Sequence, residues 1–106
     1  MTVGRGDVVW ISAASGRRPH VVLTRAVAIP LLNGVLAAPV TRSVRGIPTE
    51  VPLGPEDGMP QDCAVALDNV QFVHRSTVRG HITTLSSEKM RAVCRALAIA
   101  TGCDAT

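Results

Sequence analysis

The sequence predicts a mainly-β domain of short antiparallel strands followed by one C-terminal amphipathic helix. Three observations predict it. Short runs of Val, Ile, Leu and Thr alternate with Gly, Pro and Asn signals over residues 7–85. After Ser86 the apolar spacing changes to a helical period. The chain has 106 residues, 46% hydrophobic and 18% charged. A chain of that size buries about two-thirds of its surface, enough for one core without disulfides. One domain spanning 1–106 is expected.

The elements follow in order. Asp7-Val-Val-Trp-Ile-Ser12 is rich in β-formers and reads as a strand, with Trp10 alternating into the core. Ala13 to Arg17 is a short turn. Arg18 to Arg25 reads as a second strand with Pro19 at its start, where a missing N–H is tolerated. Asn33-Gly34 is a turn signal between apolar flanks, and Val35 to Thr41 follows as a strand whose Pro39 points to an edge or a bulge. Thr49 to Leu53 is a short extended piece. Gly54 to Asp62, with Gly54-Pro55, Asp57-Gly58 and Pro60, is a loop. Cys63 to Asp68, Asn69 to His74 and Gly80 to Leu85 are further strands. Ser86 is a helix N-cap, Glu88 suits the first turn, and Gly102 fits the position after the helix end. Met90, Val93, Cys94, Leu97 and Thr101 form one stripe, read as core packing.

Composition narrows the function classes. Aromatic residues are 2%, with no Tyr, so base-stacking platforms are scarce. Any base reading relies on hydrogen bonds or on stacking against Arg or His. The net charge is +3, and Lys89 is the single Lys among 11 basic residues. An arginine-rich surface suits a phosphate partner, although charge alone does not select one. Cys63, Cys94 and Cys103 have neither CxxC nor zinc-finger spacing and read as reduced thiols of a cytoplasmic protein. The N-terminal segment has no apolar signal core. The run from Ala26 to Val40 is broken by Pro30, Asn33, Gly34 and Pro39 and is too short to span a bilayer, so no membrane partner is expected. There is no metal-ligand cluster, P-loop, GxGxxG or nucleophile elbow. Ser76, His74 and Asp68 permit a serine-triad drawing of a kind most sequences permit.

Six segments in order carry a resemblance: Arg5-Gly-Asp-Val-Val-Trp10, Arg17-Arg-Pro-His-Val-Val-Leu23, Ala37-Ala-Pro-Val-Thr41, Thr49-Glu-Val-Pro-Leu-Gly54, Ala66-Leu-Asp-Asn-Val70, and Thr84-Leu-Ser86 with its helix. Together they cover nearly the whole chain and resemble the MazF/PemK ribonuclease toxins. The resemblance implies a small SH3-like β-barrel with helices, acting as a homodimer. It implies metal-independent, sequence-preferring cleavage of single-stranded RNA, no cofactor, and a cognate antitoxin that blocks the RNA groove. By the family pattern Arg18 and Thr41 match the catalytic pair, and Asp68 matches an Asp that is catalytic in some members. Departures are visible. The Ala13–Arg17 loop is shorter than in many members and carries no His. Ala66 stands where some members have a catalytic Arg. Gln71 and His74 replace an Arg and an Asp.

The chemistry fits those residues in part. Metal-free RNA cleavage uses the 2′-OH as nucleophile, and the protein must orient it, stabilise charge on the phosphate oxygens and move protons. Arg18 suits the phosphate as a bidentate fork and is a poor base. Thr41 suits a hydrogen bond to phosphate; the alternative is simple β-propensity. His20 shares a strand face with Arg18 and suits proton transfer near neutral pH, or is a strand residue with one hydrogen bond and one exposed edge. Asp68 is a proton-transfer candidate or an Asx-turn carboxylate. Arg17, Arg42, Arg45, Asn69 and Arg75 are RNA-binding candidates, Arg42 and Arg45 foremost because they follow Thr41; Arg25 and Arg79 are read as solvated strand ends. Two other functions remain open: a gyrase poison of the same fold, resembling the CcdB branch, and a nucleic-acid-binding module without catalysis. The former relies on a C-terminal Trp, which Gly102 to Thr106 lacks.

Overall fold

The computed structural model describes residues 2–104. Met1, which opens the N-terminal segment, and Ala105 and Thr106, which end the C-terminal segment weighed above, lie outside the described residues. The strands are β1 (Asp7–Ala13), β2 (Gly16–Val22), β3 (Gly34–Thr41), β4 (Glu50–Leu53), β5 (Cys63–Ala66), β6 (Gln71–His74) and β7 (Val78–Thr84), and the helix is α1 (Ser87–Thr101). Every strand pair is antiparallel. The order is β4-β5-β3-β2-β1-β7, with β6 also on β3. The expected barrel is not closed, because β4 and β7 at the two ends do not pair. The 54–62 loop bridges that gap instead. The Thr83 hydroxyl on β7 donates to the Asp57 carbonyl (3.0 Å), and Lys89 of α1 reaches the Pro52 carbonyl (3.2 Å).

Apolar residues on alternate positions feed two cores. Val8, Val21, Ala38 and Val40 face one, which α1 covers through Val93 and Ala96. Val9, Ile11, Val22, Ala37 and Val73 face the other, beneath Ile29 and Val3. Burial on both faces explains the unbroken Val8-Val9 and Val21-Val22 pairs, where one buried face would give alternation.

Several details differ from the sequence reading. Residues 26–31, to which the sequence assigned no element, form a 3-10 helix. Asn33-Gly34 is not a hairpin turn. Gly34 opens β3, and a Cβ there would lie 2.2 Å from the Val73 carbonyl oxygen, so the glycine permits close approach of β6. Pro39 is at neither an edge nor a bulge. It falls where β3 changes partner, between the β6-paired residues 34–37 and the β5-paired residues 40–41. The expected strand from Cys63 to Asp68 ends at Ala66, and Leu67–Asn69 is a 3-10 turn. Helix α1 starts at the expected cap, with the Ser86 hydroxyl accepting from the Lys89 N–H (3.0 Å), and stops at Gly102. Its buried face is turned from the expected stripe. Val93 and Ala96 are buried, while Cys94 and Thr101 are exposed.

Candidate active site

The pairing of β2 with β3 runs from Val22↔Ala37 to His20↔Pro39 and stops there. The first half of β2 is therefore paired to β1 alone, and its other edge is open. A groove of about 870 Å³ occupies that opening. Arg17, Arg18 and Pro19 line it from β2, Val40, Thr41, Arg42 and Ser43 from the end of β3, His81 and Ile82 from β7, and Gly58 to Gln61 from the long loop, with Trp10 and Cys63 also in its wall. Two residues past His20↔Pro39 in the same register stand Arg18 and Thr41, so the sheet sets that pair across from each other at the mouth.

The structure brings Arg18 and Thr41 together in this groove, with Arg18 exposed and Thr41 half-buried. The Thr41 hydroxyl accepts from the Ser43 N–H (3.0 Å), which orients the oxygen and leaves its proton available. His20 is placed elsewhere. It is buried, and both ring nitrogens are engaged. Nδ1 donates to the Arg18 carbonyl (3.0 Å), and Nε2 accepts from the Gln71 amide nitrogen (3.2 Å). Burial, first of all, holds its pKa below the ordinary imidazole value, and the Arg18 charge adds to that against the raising effect of the backbone bond. Its strand face matches Arg18, yet β6 covers it. Asp68 also lies outside the groove. It accepts from the Thr49 hydroxyl (2.6 Å) and borders a separate, largely apolar hollow of about 630 Å³ between α1 and β3.

The phosphate-binding candidates divide in the same way. Arg17 and Arg42 line the groove. Arg45 does not. Its Nε pairs with Glu50 (3.2 Å), whose carboxylate also accepts the Arg45 and Gly46 N–H groups (2.9 and 3.1 Å). Those bonds, the Arg45 N–H foremost, hold Glu50 below the usual carboxylate range. Arg75 is a strut, donating to the Ile29 (2.5 Å) and Leu32 (2.9 Å) carbonyls and pinning the 3-10 helix to the end of β6. Asn69 is exposed on the 67–69 turn, away from the groove lining. Arg25 and Arg79 also lie outside it.

Two groove residues escaped the sequence reading. Trp10 is half-exposed, correcting its core assignment, and Arg17 lies over its ring at 4.9 Å from the centroid. Such a contact contributes about 0.5–1 kcal/mol at an exposed site. The Ser12↔Arg17 hairpin register was a usable signal, because it sets Arg17 diagonal to Trp10. His81 has no such local signal. Its place depends on the pairing of β7 with β1, some seventy residues upstream. Among the described residues no three His, Cys, Asp or Glu side chains are grouped as metal ligands would be, and no helix is long and apolar enough to cross a membrane. Cys63 is buried, with its thiol pushed up by desolvation and then by Asp62, while Cys94 and Cys103 are exposed and free.

Residues 4–101 match the family described as PemK-like, MazF-like toxin of type II toxin-antitoxin system. The chain is 44% identical over 102 residues to "Probable endoribonuclease MazF5" of Mycobacterium tuberculosis strain H37Rv, covering 94% of each chain. Among solved structures it is similar to "Mycobacterium tuberculosis toxin MazF-mt6", with TM-score 0.82, 33% identity and 90% and 96% of the two chains covered. It is also similar to "Endoribonuclease in complex with its cognate antitoxin from Mycobacterial species", with TM-score 0.87, 25% identity and 95% and 96% covered. With nearly its whole length matched in sequence and fold, the chain belongs to the PemK-like, MazF-like toxins of type II toxin–antitoxin systems.

Proposed function

We propose that the chain is an endoribonuclease that cuts single-stranded RNA through the RNA's own 2′-hydroxyl, without a metal ion, and that a cognate antitoxin holds it in check in the cytoplasm. The observation that carries this reading is the meeting of Arg18 and Thr41 in one open groove whose rim adds Arg17 and Arg42. The relatives named as endoribonucleases, and the related structure whose title describes an antitoxin complex, support it.

In this mechanism the 2′-oxygen bonds to phosphorus while the bond to the 5′-oxygen breaks, leaving a cyclic phosphate and a 5′-hydroxyl. Arg18 presents two N–H groups to the non-bridging oxygens, where negative charge builds up. Thr41 donates its remaining proton to the same phosphate. Arg42 tracks a neighbouring phosphate. Arg17, held over Trp10, offers a planar guanidinium for base stacking in a chain with few aromatics. Asp68, Asn69, Arg45 and Arg75 lie outside the groove and take no part, and His20 is a structural residue.

The test is incubation of the purified protein with a long single-stranded RNA in EDTA, followed by mapping of the new 5′ ends. Cutting at a short recurring sequence is expected. Arg18→Ala and Thr41→Ala should each lower the rate by about a hundredfold or more with an unchanged melting temperature. Full activity in both variants rejects the site. Gyrase-dependent DNA breaks, or RNA retention without cutting, reject the function.

A further inference from the structure

The reaction proposed above needs an acceptor for the 2′-hydroxyl proton, and neither a guanidinium nor a threonine hydroxyl serves near neutral pH. We propose that His81 is that acceptor: held on the groove wall by Thr84 and Asp7, its imidazole takes the proton of the attacking 2′-hydroxyl at Nδ1. The inference rests on the RNA-cleavage reading and adds a residue to it.

Three observations carry it. The first is placement. His81 is half-exposed and lines the same groove as Arg18 and Thr41, whereas His20 is sealed behind Gln71 and His74 is bonded to Ser76 outside the groove. The second is the strand that presents it. The β1–β7 register passes from Val8↔Thr83 to Val9↔His81 and from Trp10↔Gly80 to Ile11↔Val78, skipping Ile82 and Arg79. Two irregularities thus bracket Gly80-His81, and consecutive residues His81 and Ile82 both line the groove, which a regular strand would not allow. Bulges of this kind re-aim side chains beside active sites.

The third is the hydrogen-bond chain behind the ring. The Thr84 hydroxyl donates its one proton to Asp7 Oδ1 (2.7 Å), so at 3.0 Å from His81 Nε2 it can only accept. Nε2 therefore carries the proton, and Nδ1 keeps its lone pair for substrate. Asp7 Oδ1 is itself 3.5 Å from Nε2, and its other oxygen accepts the Gly4 N–H (2.7 Å), which fixes the carboxylate. Asp7 thus supplies a fixed negative charge beside the imidazolium once it forms. The other charged or titratable groups around the groove are Arg17 and Arg18 from β2, Arg42 after β3 and the buried Cys63 thiol from β5. Asp57 of the loop is engaged by Lys89 and the Gly54 N–H. Among the side chains lining the groove, His81 is the one imidazole, and its Nδ1 lone pair is the open proton acceptor there.

The step balances. The O2′–H bond breaks and its proton goes to Nδ1, the O2′–P bond forms, and the P–O5′ bond breaks. The 5′-oxygen takes a proton from solvent, and the imidazolium later returns one.

Single-turnover cleavage of an RNA oligonucleotide from about pH 5 to about pH 9 tests this, with binding measured separately on the same oligonucleotide carrying a 2′-deoxy group at the cut. The wild-type rate should rise with pH and level off. His81→Gln should cut about 10²- to 10⁴-fold more slowly, lose the rising limb, and bind the deoxy probe as before. Imidazole in the buffer should restore part of the rate to His81→Ala. Thr84→Val, acting through positioning, should lower kcat with little change in KM. A His81→Gln enzyme with the wild-type rate and pH limb overturns the inference, as does a His81→Ala loss that lies wholly in binding and ignores imidazole. If Arg18→Ala also cuts normally, the site reading falls as well; a wild-type protein that leaves RNA intact removes both.

Discussion

His20 and His81 sit on neighbouring stretches of the sheet and face different demands. The buried His20 ring is satisfied only when neutral, because a second N–H at Nε2 would point at the Gln71 amide donor. Its folded pKa lies below the unfolded value near about 6.5. In the window between the two, the unfolded chain binds more protons, so stability rises with pH and is lost as pH falls below about 6.5. Urea midpoints should therefore drop between about pH 7.5 and about pH 5, and His20→Gln should flatten that slope; an equal slope in the variant would assign the effect to other groups. The arginines teach a related lesson. In sequence, Arg17, Arg42, Arg45 and Arg75 are alike, each near a strand end. What separates them is Glu50 beside Arg45, and the Ile29 and Leu32 carbonyls that Arg75 reaches from 46 and 43 residues away. That Arg18 and Thr41 belong together in one groove was legible, because each sits in a short recognisable segment. The place of His81 in the groove was not, because it and its neighbours Asp7 and Thr84 converge only through the β1–β7 register.

At the scale of elements, composition located all seven strands and the helix to within a few residues, and the capped ends of α1 were legible from Ser86 and Gly102. Local signals could not say why a turn residue was there. Asn33-Gly34 carries a hairpin signature, yet Gly34 serves the packing of β6 on β3: its Cβ would meet the Val73 oxygen at 2.2 Å and the Phe72 ring at 2.9 Å. Gly34→Ala should accordingly destabilise the fold by about 1–3 kcal/mol, since backbone must move to admit the methyl. Asn33 contributes a backbone carbonyl to the Arg75 N–H, so Asn33→Ala should stay within about 0.5 kcal/mol. Denaturant unfolding of the two variants separates the explanations. Comparable losses would return the dipeptide to a turn role. The bulged β7 belongs to the same class of feature, because a skipped residue leaves no mark in the strand's own composition.

At the scale of the molecule, the groove occupies the open end of β2 and β3, while a different region collects apolar side chains that the fold leaves uncovered. Leu36 and Phe72 are paired across β3 and β6 and are 46% and 55% exposed; Val27 and Leu31 on the 3-10 helix are 75% and 82% exposed. Arg75 ties the end of β6 to the 3-10 helix. Exposed apolar surface of this kind on a folded domain marks a contact surface. We infer that it is where a second copy of the chain docks, which is the homodimer the sequence resemblance implies. Each fully buried large side chain would contribute roughly 1.5–3 kcal/mol, so four from each copy outweigh the cost of association only if they are covered together. Light scattering should therefore give twice the chain mass of 11.1 kDa, and Phe72→Glu, which adds a charge to this exposed surface without touching the core, should shift the protein to monomer with its melting profile broadly retained. A wild-type monomer at tens of micromolar, or a Phe72→Glu variant that stays dimeric, would move the contact elsewhere. Because His81, Arg18 and Thr41 all come from one chain, the monomeric variant also shows whether the groove is complete by itself: retained cutting places the whole reaction within one subunit, and lost cutting with intact fold means that the second copy shapes the RNA path.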